Sequence, residues 1–590
     1  MRNGKILNKK FFQFLLPTAL SVMAMSLNEF VDSLLVANLI DADAMTLVNM
    51  ASPLMLAFAV IYTLLGVGGS TVFAGYLGKH ETEKAKKVFT MMMLVSVGIA
   101  VLILASGIVF ISPLASFMCG EPEYGGVFRE YLYALILSGI FIIPVQVLIS
   151  FMPSFGHPEI GTFINIAANV INLVMDYFYI RCLSMGLAGA AFATLTGYVA
   201  GLAIIMVLHF TKKMRLPFAG ISVRDFHSLT ESVSVGLSPA INQIGYCIKI
   251  AFSNAIAFSL AGMAGTTVFS VCIQVVSMAS VFIGGVINAV IPIVSSLYGQ
   301  RDFSGMGILM KTALWAQFAM NVVLLLVFEA FPQGILAMYN VAGEAWPLAI
   351  MGLRIFSIMF LFRGFLLIYM YYFPVIGRKA YAFIISIMDG FLGVILLALI
   401  LTKINGINGL WQAYTLNSVL LLAAVLTANI FISRCSGGKY SPLLLLEHED
   451  ENIPVYESSV KMRSEDISKL SESIESFCKK KGVAARLSLL TALSVEEMGV
   501  YTSEQSYHSR IDYLDILLKI YPEYILLDTR SIGKPFDTAA VPEKYSNMDV
   551  LRKISASFEY SYILGMNQTR IRLARDDGKR IYESSGEPWL

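Results

Sequence analysis

The sequence predicts an all-α polytopic membrane protein with twelve transmembrane helices in two six-helix lobes, followed by a soluble α+β C-terminal domain. Three observations support this fold class: the composition is strongly apolar, apolar stretches of membrane-spanning length recur along the chain, and the composition becomes more polar near residue 440. Of the 590 residues, 56% are hydrophobic and 14% are charged, and the mean hydropathy is +0.69. Soluble domains carry about 25% charged residues.

The net charge of the chain is close to zero, since 43 Lys and Arg residues oppose 41 Asp and Glu residues. Without a basic field, we expect no nucleic-acid partner. The six cysteines are isolated from one another and form no CxxC or Cys/His cluster. We therefore expect no disulfide framework and no zinc site.

Twelve apolar stretches precede residue 440, each long enough to cross a bilayer core, which takes about 20 residues. They lie near 12–38, 46–75, 88–112, 130–152, 159–180, 186–209, 231–258, 266–298, 308–330, 346–373, 379–402 and 406–432. Seventeen Lys and Arg residues lie at one side of these stretches, and only Arg129, Arg181 and Lys403 lie at the other. By the positive-inside rule, we expect a multi-pass protein of the cell membrane, surrounded by lipids, with both termini in the cytoplasm.

The two halves of the membrane part repeat one another at an offset of about 220 residues. Pro17 in the first span corresponds to Pro239 in the seventh, and the glycine pattern of residues 186–193 returns at 406–413. Two copies of six spans share one topology, which suits two lobes that rock about a central cavity. The predicted divisions are an N-terminal lobe over 1–212, a C-terminal lobe over 213–437, an acidic linker over 438–452 and a cytoplasmic domain over 453–590.

Polar residues within the apolar spans mark a candidate ion site in the N-terminal lobe. Asp32 lies in the first span, and Asn165, Asn169, Asn172 and Asp176 share one face of the fifth, at steps of four, three and four residues. The asparagines alone could equally be hydrogen-bonding links between helices. Two carboxylates in one lobe favour a cation site, because a carboxylate kept from bulk water takes up a proton more readily and a sodium ion stabilises its charge.

Three charged residues lie deep within spans of the second lobe: Lys249, Arg363 and Asp389. We expect Lys249 and Arg363 to pair with Asp389 or with Glu29, and this group marks a candidate cavity of the second lobe. The 29 methionines and aromatic runs such as residues 369–373 suit a pocket for flat or cationic molecules. The same residue types are also typical of lipid-facing surfaces.

Several short motifs accompany the six-plus-six organisation. They are Pro17 with Val31-Asp32-Ser33 in the first span, Gly66-Val67-Gly68-Gly69-Ser70 in the second, Asn172-x3-Asp176 in the fifth and Gly186-x-x-Gly189-x4-Thr194 in the sixth. Together they resemble the multidrug and toxic compound extrusion (MATE) family over about residues 5–435. The resemblance implies an exporter driven by inward flow of protons or sodium ions, with the ion held by Asp32, Asn172, Asp176 and Thr194.

Two further residues are assigned to this candidate site on grounds other than the family resemblance. Asn169 lies on the same stripe as Asn172 and Asp176, and Pro17 is the predicted hinge of the first span. The membrane part of span seven lacks the acidic residue that some members of the family carry, which argues against a sodium site in the C-terminal lobe.

Beyond residue 440, the alternation of apolar residues predicts a small α+β domain. After acidic residues 447–451, the predicted elements are a strand over 453–462, helices over 464–481 and 485–505, and strands over 511–521 and 524–527.

Motifs within residues 492–497, 533–537 and 560–567 resemble the histidine-kinase-like ATP-binding domains of anti-sigma-factor kinases. The resemblance assigns four positions to a nucleotide site, namely Glu497, Tyr501, Ser531 and Gly533. Tyr501 stands where that fold has a magnesium-binding asparagine, and Ser531 stands where it has an adenine-reading aspartate. We therefore predict a degenerate, catalytically inactive domain that docks a cytoplasmic protein partner or senses a ligand.

The predicted function is a secondary active antiporter and not an enzyme. It would export small organic compounds, cationic or amphipathic, in exchange for H⁺ or Na⁺, and protonation of Asp32 and Asp176 would bend the span around Pro17. Apart from this coupling ion, H⁺ or Na⁺, we expect no cofactor and no bound metal. Two alternatives remain: a membrane-held ligand sensor or scaffold that signals through the C-terminal domain, and a flippase for a lipid-linked precursor. The flippase would need a more cationic cavity than these few basic residues offer.

Overall fold

The computed structural model describes most of the chain and resolves it into two compact units. The described residues are 4–40, 47–48, 50–119, 125–222, 225–338, 345–448, 453–509, 513–536, 552–553 and 555–575. The membrane unit comprises Gln13–Asp302 and Met310–Leu446, and the C-terminal unit comprises Met1–Phe12, Phe303–Leu309 and Glu447–Leu590.

The membrane unit is helical throughout its described elements. Its first half contains α1 (Lys5–Leu39), α2 (Ser52–Gly78), α3 (Thr82–Cys119), α4 (Gly125–Phe151), α5 (Pro158–Tyr177) and α6 (Gly186–Phe210). Its second half contains α7 (Phe226–Gly299), α8 (Phe303–Ala330), α9 (Pro332–Met338), α10 (Ala345–Ser357), α11 (Phe360–Val375), α12 (Lys379–Ile387), α13 (Gly393–Asn405) and α14 (Asn408–Cys435). The first residues of α1 and α8 belong to the C-terminal unit.

Local sequence explains where several helices begin, bend and end. Both α2 and α5 carry a proline in their first turn, where the missing backbone N–H has no partner to lose. A π-helical turn follows α5 at Phe178–Cys182, and a second follows α12 at Met388–Leu392. The two turns do not lie at equivalent places of the repeat, because the first follows 20 residues of α5 and the second follows 9 residues of α12.

Ten described helices are long and apolar enough to cross a membrane, and eleven result when α10 and α11, bent by 44° at their junction, are joined as one span. One of the ten is α7, with 74 residues. At about 1.5 Å per residue, such a helix would extend about 110 Å, several times a bilayer core of about 30 Å. Its backbone breaks at Ala261 and Gly262, where Gly262 has a φ of 57°. The break lies between the predicted seventh and eighth spans, but the count of twelve stays a prediction.

Glycines allow α2 to pack very closely against α7 at two places. A Cβ atom at Gly68 would overlap the backbone of Ser232, and one at Gly78 would overlap the backbone of Ser296. Helix backbones can approach this closely only where side chains are absent, a common feature of membrane helix interfaces. The first half of the repeat is thereby joined to both segments of α7.

The C-terminal unit contains a five-stranded antiparallel sheet with two helices. Its elements are β1 (Val455–Lys461), α15 (Ser464–Lys480), α16 (Ala485–Ser509), β2 (Tyr513–Ile520), β3 (Tyr524–Ile532), β4 (Ser557–Ile563) and β5 (Met566–Ala574), and the strand order is β1-β2-β3-β5-β4. The core joins Ile474 of α15 and Val495 of α16 to Leu518 and Leu527 of the sheet.

Sequence analysis located β1, α15, α16, β2 and the start of β3, but it assigned no strands to β4 and β5. Four successive residues of β5 are polar and buried, each at most 6% exposed: Asn567, Gln568, Thr569 and Arg570. The alternation of apolar and polar residues that predicts a strand is therefore missing there. Arg570 instead forms a two-bonded ion pair with Asp528 of β3, with N–O distances of 2.8 and 3.0 Å, and the Asp528 charge raises the pKa of Arg570 against the opposing effect of burial.

Candidate functional site

A ladder of polar contacts joins α1 to α5 in the first half of the membrane unit. The Thr162 hydroxyl donates to the Pro17 carbonyl at 2.7 Å, Asn165 Nδ2 donates to Ser21 Oγ at 2.7 Å, and Asn28 Nδ2 donates to Asn172 Oδ1 at 3.1 Å. The partners are 145, 144 and 144 residues apart in sequence. This constant separation shows that α1 and α5 run parallel and in register along the ladder.

Asp32 and Asp176 continue the ladder by one more step of 144 residues, and we call them the acid pair. Their carboxyl groups lie within hydrogen-bonding reach of one another, and Asp176 is fully buried. Among the described residues, no N–H or O–H donates to either oxygen of Asp176 or to Oδ1 of Asp32. Two ionised carboxylates can only accept hydrogen bonds. A proton shared between them, or a bound cation, would therefore satisfy the oxygens that receive no hydrogen bond from the surrounding side chains.

The other predicted members of the ion site differ in how they connect to the acid pair. Asn172 Nδ2 lies 3.5 Å from Thr194 Oγ1, which itself donates to the Ala190 carbonyl. Asn169 is half-buried, and its Nδ2 has no hydrogen-bond partner among the described residues. The structure thus connects Asn172 and Thr194 to each other and leaves Asn169 outside the ladder.

Tyr131 of α4 is a neighbour of the acid pair that sequence analysis did not single out. It is 6% exposed and lies within electrostatic range of both Asp32 and Asp176. A tyrosine in an apolar helix has no spacing pattern that distinguishes it from a core residue. Ser21 and Thr162 were missed for the same reason, since single hydroxyl residues are common in membrane helices.

A cavity of about 190 Å³ lies beside the predicted hinge. Its walls include Thr18, Ser21, Thr162 and Asn165 from the first half and Asn288, Pro292 and Tyr371 from the second half. The Thr18 hydroxyl also donates to the Gly285 carbonyl of α7 at 2.8 Å. The segment around Pro17 therefore contacts α5, α7 and the cavity at once, which places it where movement of α1 would change the cavity.

In the second half, Asp389 lies between the two predicted cations. Arg363 Nε is 3.6 Å from Asp389 Oδ2, and Asn242 Nδ2 donates to the same oxygen at 3.3 Å. Lys249 Nζ donates to the backbone carbonyl of Asp389 at 2.6 Å, so the expected pairing of Lys249 involves the carbonyl of the π-helical turn and not a hydrogen bond to the carboxylate. The side chain of Glu29, the alternative partner, lies outside the described residues.

Of the four predicted nucleotide-site positions of the C-terminal unit, Gly533 lies in the segment 533–536, Ser531 lies two residues before it, and Tyr501 contacts it through Phe536. The Tyr501 ring is buried and meets the Phe536 ring edge-on at 5.8 Å. The Phe536 N–H donates to Tyr560 Oη and Asn567 Oδ1, and the Gly533 carbonyl accepts from Tyr562 Oη. Ser531 is a buried residue of β3 and Glu497 is half-buried on α16.

Among the described residues, no group of three or more His, Cys, Asp or Glu side chains could hold a metal ion.

The repeated helical halves define a class, that of polytopic membrane proteins built by internal duplication. The chain belongs to the MatE family, whose model matches it at residues 17–178 and 240–399. The two matched segments start 223 residues apart, in agreement with the repeat offset of about 220 that the sequence predicts.

Curated relatives and solved structures extend this likeness over most of the membrane part. The multidrug export protein MepA of Staphylococcus aureus (strain MSSA476) is 19% identical over 434 residues, covering 72% of this chain and 94% of MepA. MepA of Staphylococcus saprophyticus is 20% identical over 410 residues, covering 68% and 88%. A MOP superfamily transporter from Pyrococcus furiosus superposes with a TM-score of 0.67 at 20% identity, covering 74% of this chain and 97% of that one. An outward-facing multidrug resistance MATE transporter gives a TM-score of 0.68 at 20% identity, covering 73% and 97%.

Proposed function

We propose that the protein is a secondary active antiporter that exports small organic compounds in exchange for H⁺ or Na⁺. The observation that carries the proposal is the acid pair, two neighbouring carboxyl groups of which both Asp176 oxygens and Asp32 Oδ1 receive no hydrogen bond from the described residues. Charged groups inside a membrane protein are costly and persist chiefly along paths for ions or substrates. The multidrug export named for the MepA relatives supports the same reading.

The polar ladder couples the ion site at the acid pair to the cavity where the substrate would bind. A proton or sodium ion that binds the acid pair removes the repulsion between Asp32 and Asp176 and lets α1 move against α5. The ladder transmits that movement to the segment around Pro17, which lines the cavity together with residues of the second half. The arrangement of α1 with the ion bound and the arrangement without it differ in their affinity for the ion. The ion gradient therefore drives the change between these two states.

The size and walls of the cavity suit a small amphipathic or cationic molecule. Hydroxyl and amide groups such as Ser21 and Asn165 provide hydrogen bonds, while Val22, Met25 and Tyr371 provide apolar and aromatic contact. In twelve spans with both termini in the cytoplasm, substrate would enter from the cytoplasm or inner leaflet and leave outward.

The C-terminal domain is proposed to regulate transport without hydrolysing nucleotide. Within the C-terminal unit, Lys5 Nζ of α1 donates to Tyr513 Oη at 2.9 Å, and Ser304 Oγ of α8 donates to Glu457 Oε2 at 2.7 Å. The domain thus holds the first residues of one helix from each half of the repeat. A ligand or protein partner that displaces β1 would release the start of α8, and one that displaces β2 would release the start of α1.

Efflux from proteoliposomes tests the transport proposal. An imposed proton or sodium gradient should drive export of a fluorescent cation by the wild type, and Asp32→Asn or Asp176→Asn should lower the rate at least tenfold. Glu130→Gln serves as the matched control, because Glu130 is an exposed acid of the same half. Gradient-driven efflux that persists in both acid-pair variants, while the protein is folded, would refute the assignment.

A further inference from the structure

The second half of the membrane unit buries a group of charges that the acid pair does not use. We call Lys249, Arg363 and Asp389 the second-half charge cluster; they are 2%, 8% and 2% exposed. They come from three elements, α7, α11 and the π-helical turn after α12, so tertiary packing brings them together.

The cluster contains one more positive charge than negative charge. Asp389 is shared between the two cations: its Oδ2 is near Arg363 Nε, and its backbone carbonyl accepts from Lys249. Within the part of the chain that the structure describes, neither Lys249 nor Arg363 contacts a second carboxylate. A buried charge without a counter-charge is unfavourable, so one added negative charge would balance the cluster.

Arg363 also keeps an unused hydrogen-bond donor. Its Nε is buried and has no hydrogen-bond partner among the described residues, since the 3.6 Å to Asp389 is too long for a hydrogen bond. The guanidinium group presents its N–H donors in a planar fork that matches a carboxylate. The free donor and the surplus charge point to the same kind of ligand.

Two tyrosine rings form the other side of the cluster. Tyr246 lies 5.6 Å from Lys249 Nζ and 5.9 Å from Arg363 Cζ, and Tyr414 lies 5.5 Å from Lys249 Nζ. Aromatic faces attract cations and also stack on flat ligands. A flat molecule with an acid group could therefore contact both the rings and the cations.

We propose that the second-half charge cluster is a subsite for the carboxylate of an amphoteric transported molecule. This deepens the proposed function and rests on it. A monoanion fits because the surplus is a single positive charge, and a planar carboxylate fits the fork of Arg363. The carboxylate competes with Asp389 for Arg363 and is attracted by Lys249, while the cationic or apolar part of the same molecule lies toward the first half.

Binding of radiolabelled benzoate to the full-length protein in lipid nanodiscs tests the subsite. We expect saturable binding to the wild type, at least tenfold weaker binding for Arg363→Gln and weaker binding for Lys249→Gln. Asp389→Asn should bind benzoate more tightly, by about threefold or more, because the competing carboxylate is gone. These opposite signs separate a binding role from a structural role, in which loss of any member of the network would weaken binding alike.

Two controls keep the result interpretable. Arg354→Gln alters an arginine of the same half that is 54% exposed and pairs with Glu329, and it should leave benzoate binding unchanged. Asp32→Asn should also retain benzoate binding while losing gradient-driven export, so failure of the proposed function and failure of the subsite can be told apart. The proposal is overturned if the wild type does not bind benzoate, or if Arg363→Gln and Asp389→Asn shift its affinity in the same direction.

Discussion

At the scale of single residues, the acid pair differs from the other buried polar groups of the first half. Asn172 and Asn165 each donate a hydrogen bond to a named side chain, and Thr162 donates to two backbone carbonyls. Asn165 and Asn172 thus link neighbouring helices, whereas Asn169 Nδ2 has no hydrogen-bond partner among the described residues. Asp32 and Asp176 cannot hydrogen-bond to each other while both are charged, because ionised carboxylates only accept hydrogen bonds. In the proposed function, this pair binds the coupling ion.

Asp225 offers a residue-scale test on the segment that connects the two halves. The Ser222 backbone N–H donates to its carboxylate at 2.7 Å and Lys87 lies 3.1 Å away, and these contacts hold the pKa of Asp225 below its ordinary value of 3.8. A lowered pKa in the folded state means that ionised Asp225 stabilises the connector above the ordinary pKa, and that this contribution is lost as pH falls below it.

The Asp225→Asn variant should therefore have faster hydrogen exchange than the wild type in residues 216–222 at neutral pH. The difference should begin to shrink once the pH falls below about 4, because the carboxyl of the open connector is then protonated, and it should vanish only below the lowered pKa of the folded state. Mass-spectrometric hydrogen exchange between about pH 3 and pH 7 measures it, after correction for the intrinsic pH dependence of exchange. A difference that is the same at both ends of this range would show that the charge of Asp225 is not responsible.

At the scale of elements, sequence patterns predicted which residues share one face of a helix better than they predicted which helices contact one another. The stripe from Asn165 to Asp176 was visible because it repeats at helical spacing. The register that pairs it with α1 was not, because no local pattern encodes the separation of 144 residues. The contact of Lys249 with the Asp389 carbonyl depends on the position of the π-helical turn, which no local pattern indicates. The strand β5 was not predicted because its buried polar residues break the alternation of apolar and polar residues.

The close packing of α2 on α7 gives an element-scale prediction. Gly68→Ala should lower the thermal stability of the purified protein, because its Cβ would overlap the Ser232 carbonyl and overpacking costs about 1–3 kcal/mol. Gly98→Ala is the matched control: Gly98 lies in α3 and a Cβ there would have no neighbour within 4 Å. This control should be neutral or stabilising by up to about 1 kcal/mol. Equal effects of the two substitutions would contradict the packing argument.

At the scale of the whole molecule, a transport fold of the MatE family is joined in one chain to an α+β domain with a five-stranded sheet. The sequence predicted a membrane part and an α+β part because their compositions differ sharply, while the resemblance of the second part to a nucleotide-binding domain stays a prediction. It did not predict that residues 1–12 and 303–309 belong to the same compact unit as the domain. Long-range packing of that kind has no signature in local sequence.

The C-terminal domain should not bind nucleotide in the intact protein. Tyr501 and Phe536 pack ring to ring, and the Phe536 N–H is already bonded to Tyr560 and Asn567. Titration of full-length protein with fluorescently labelled ATP and magnesium, up to millimolar nucleotide, should show no saturable binding. A histidine-kinase ATP-binding domain assayed in parallel confirms that the probe works. Saturable binding that unlabelled ATP displaces would overturn the prediction.

The most direct test of the account is the exchange of ion for substrate at the acid pair. Adding a transported cation to the purified protein in weakly buffered solution should release protons, detected by a pH dye, or displace bound radioactive sodium. We expect release by the wild type and none by Asp32→Asn or Asp176→Asn, with Glu130→Gln behaving like the wild type. Substrate binding by the wild type that exchanges neither ion would contradict it.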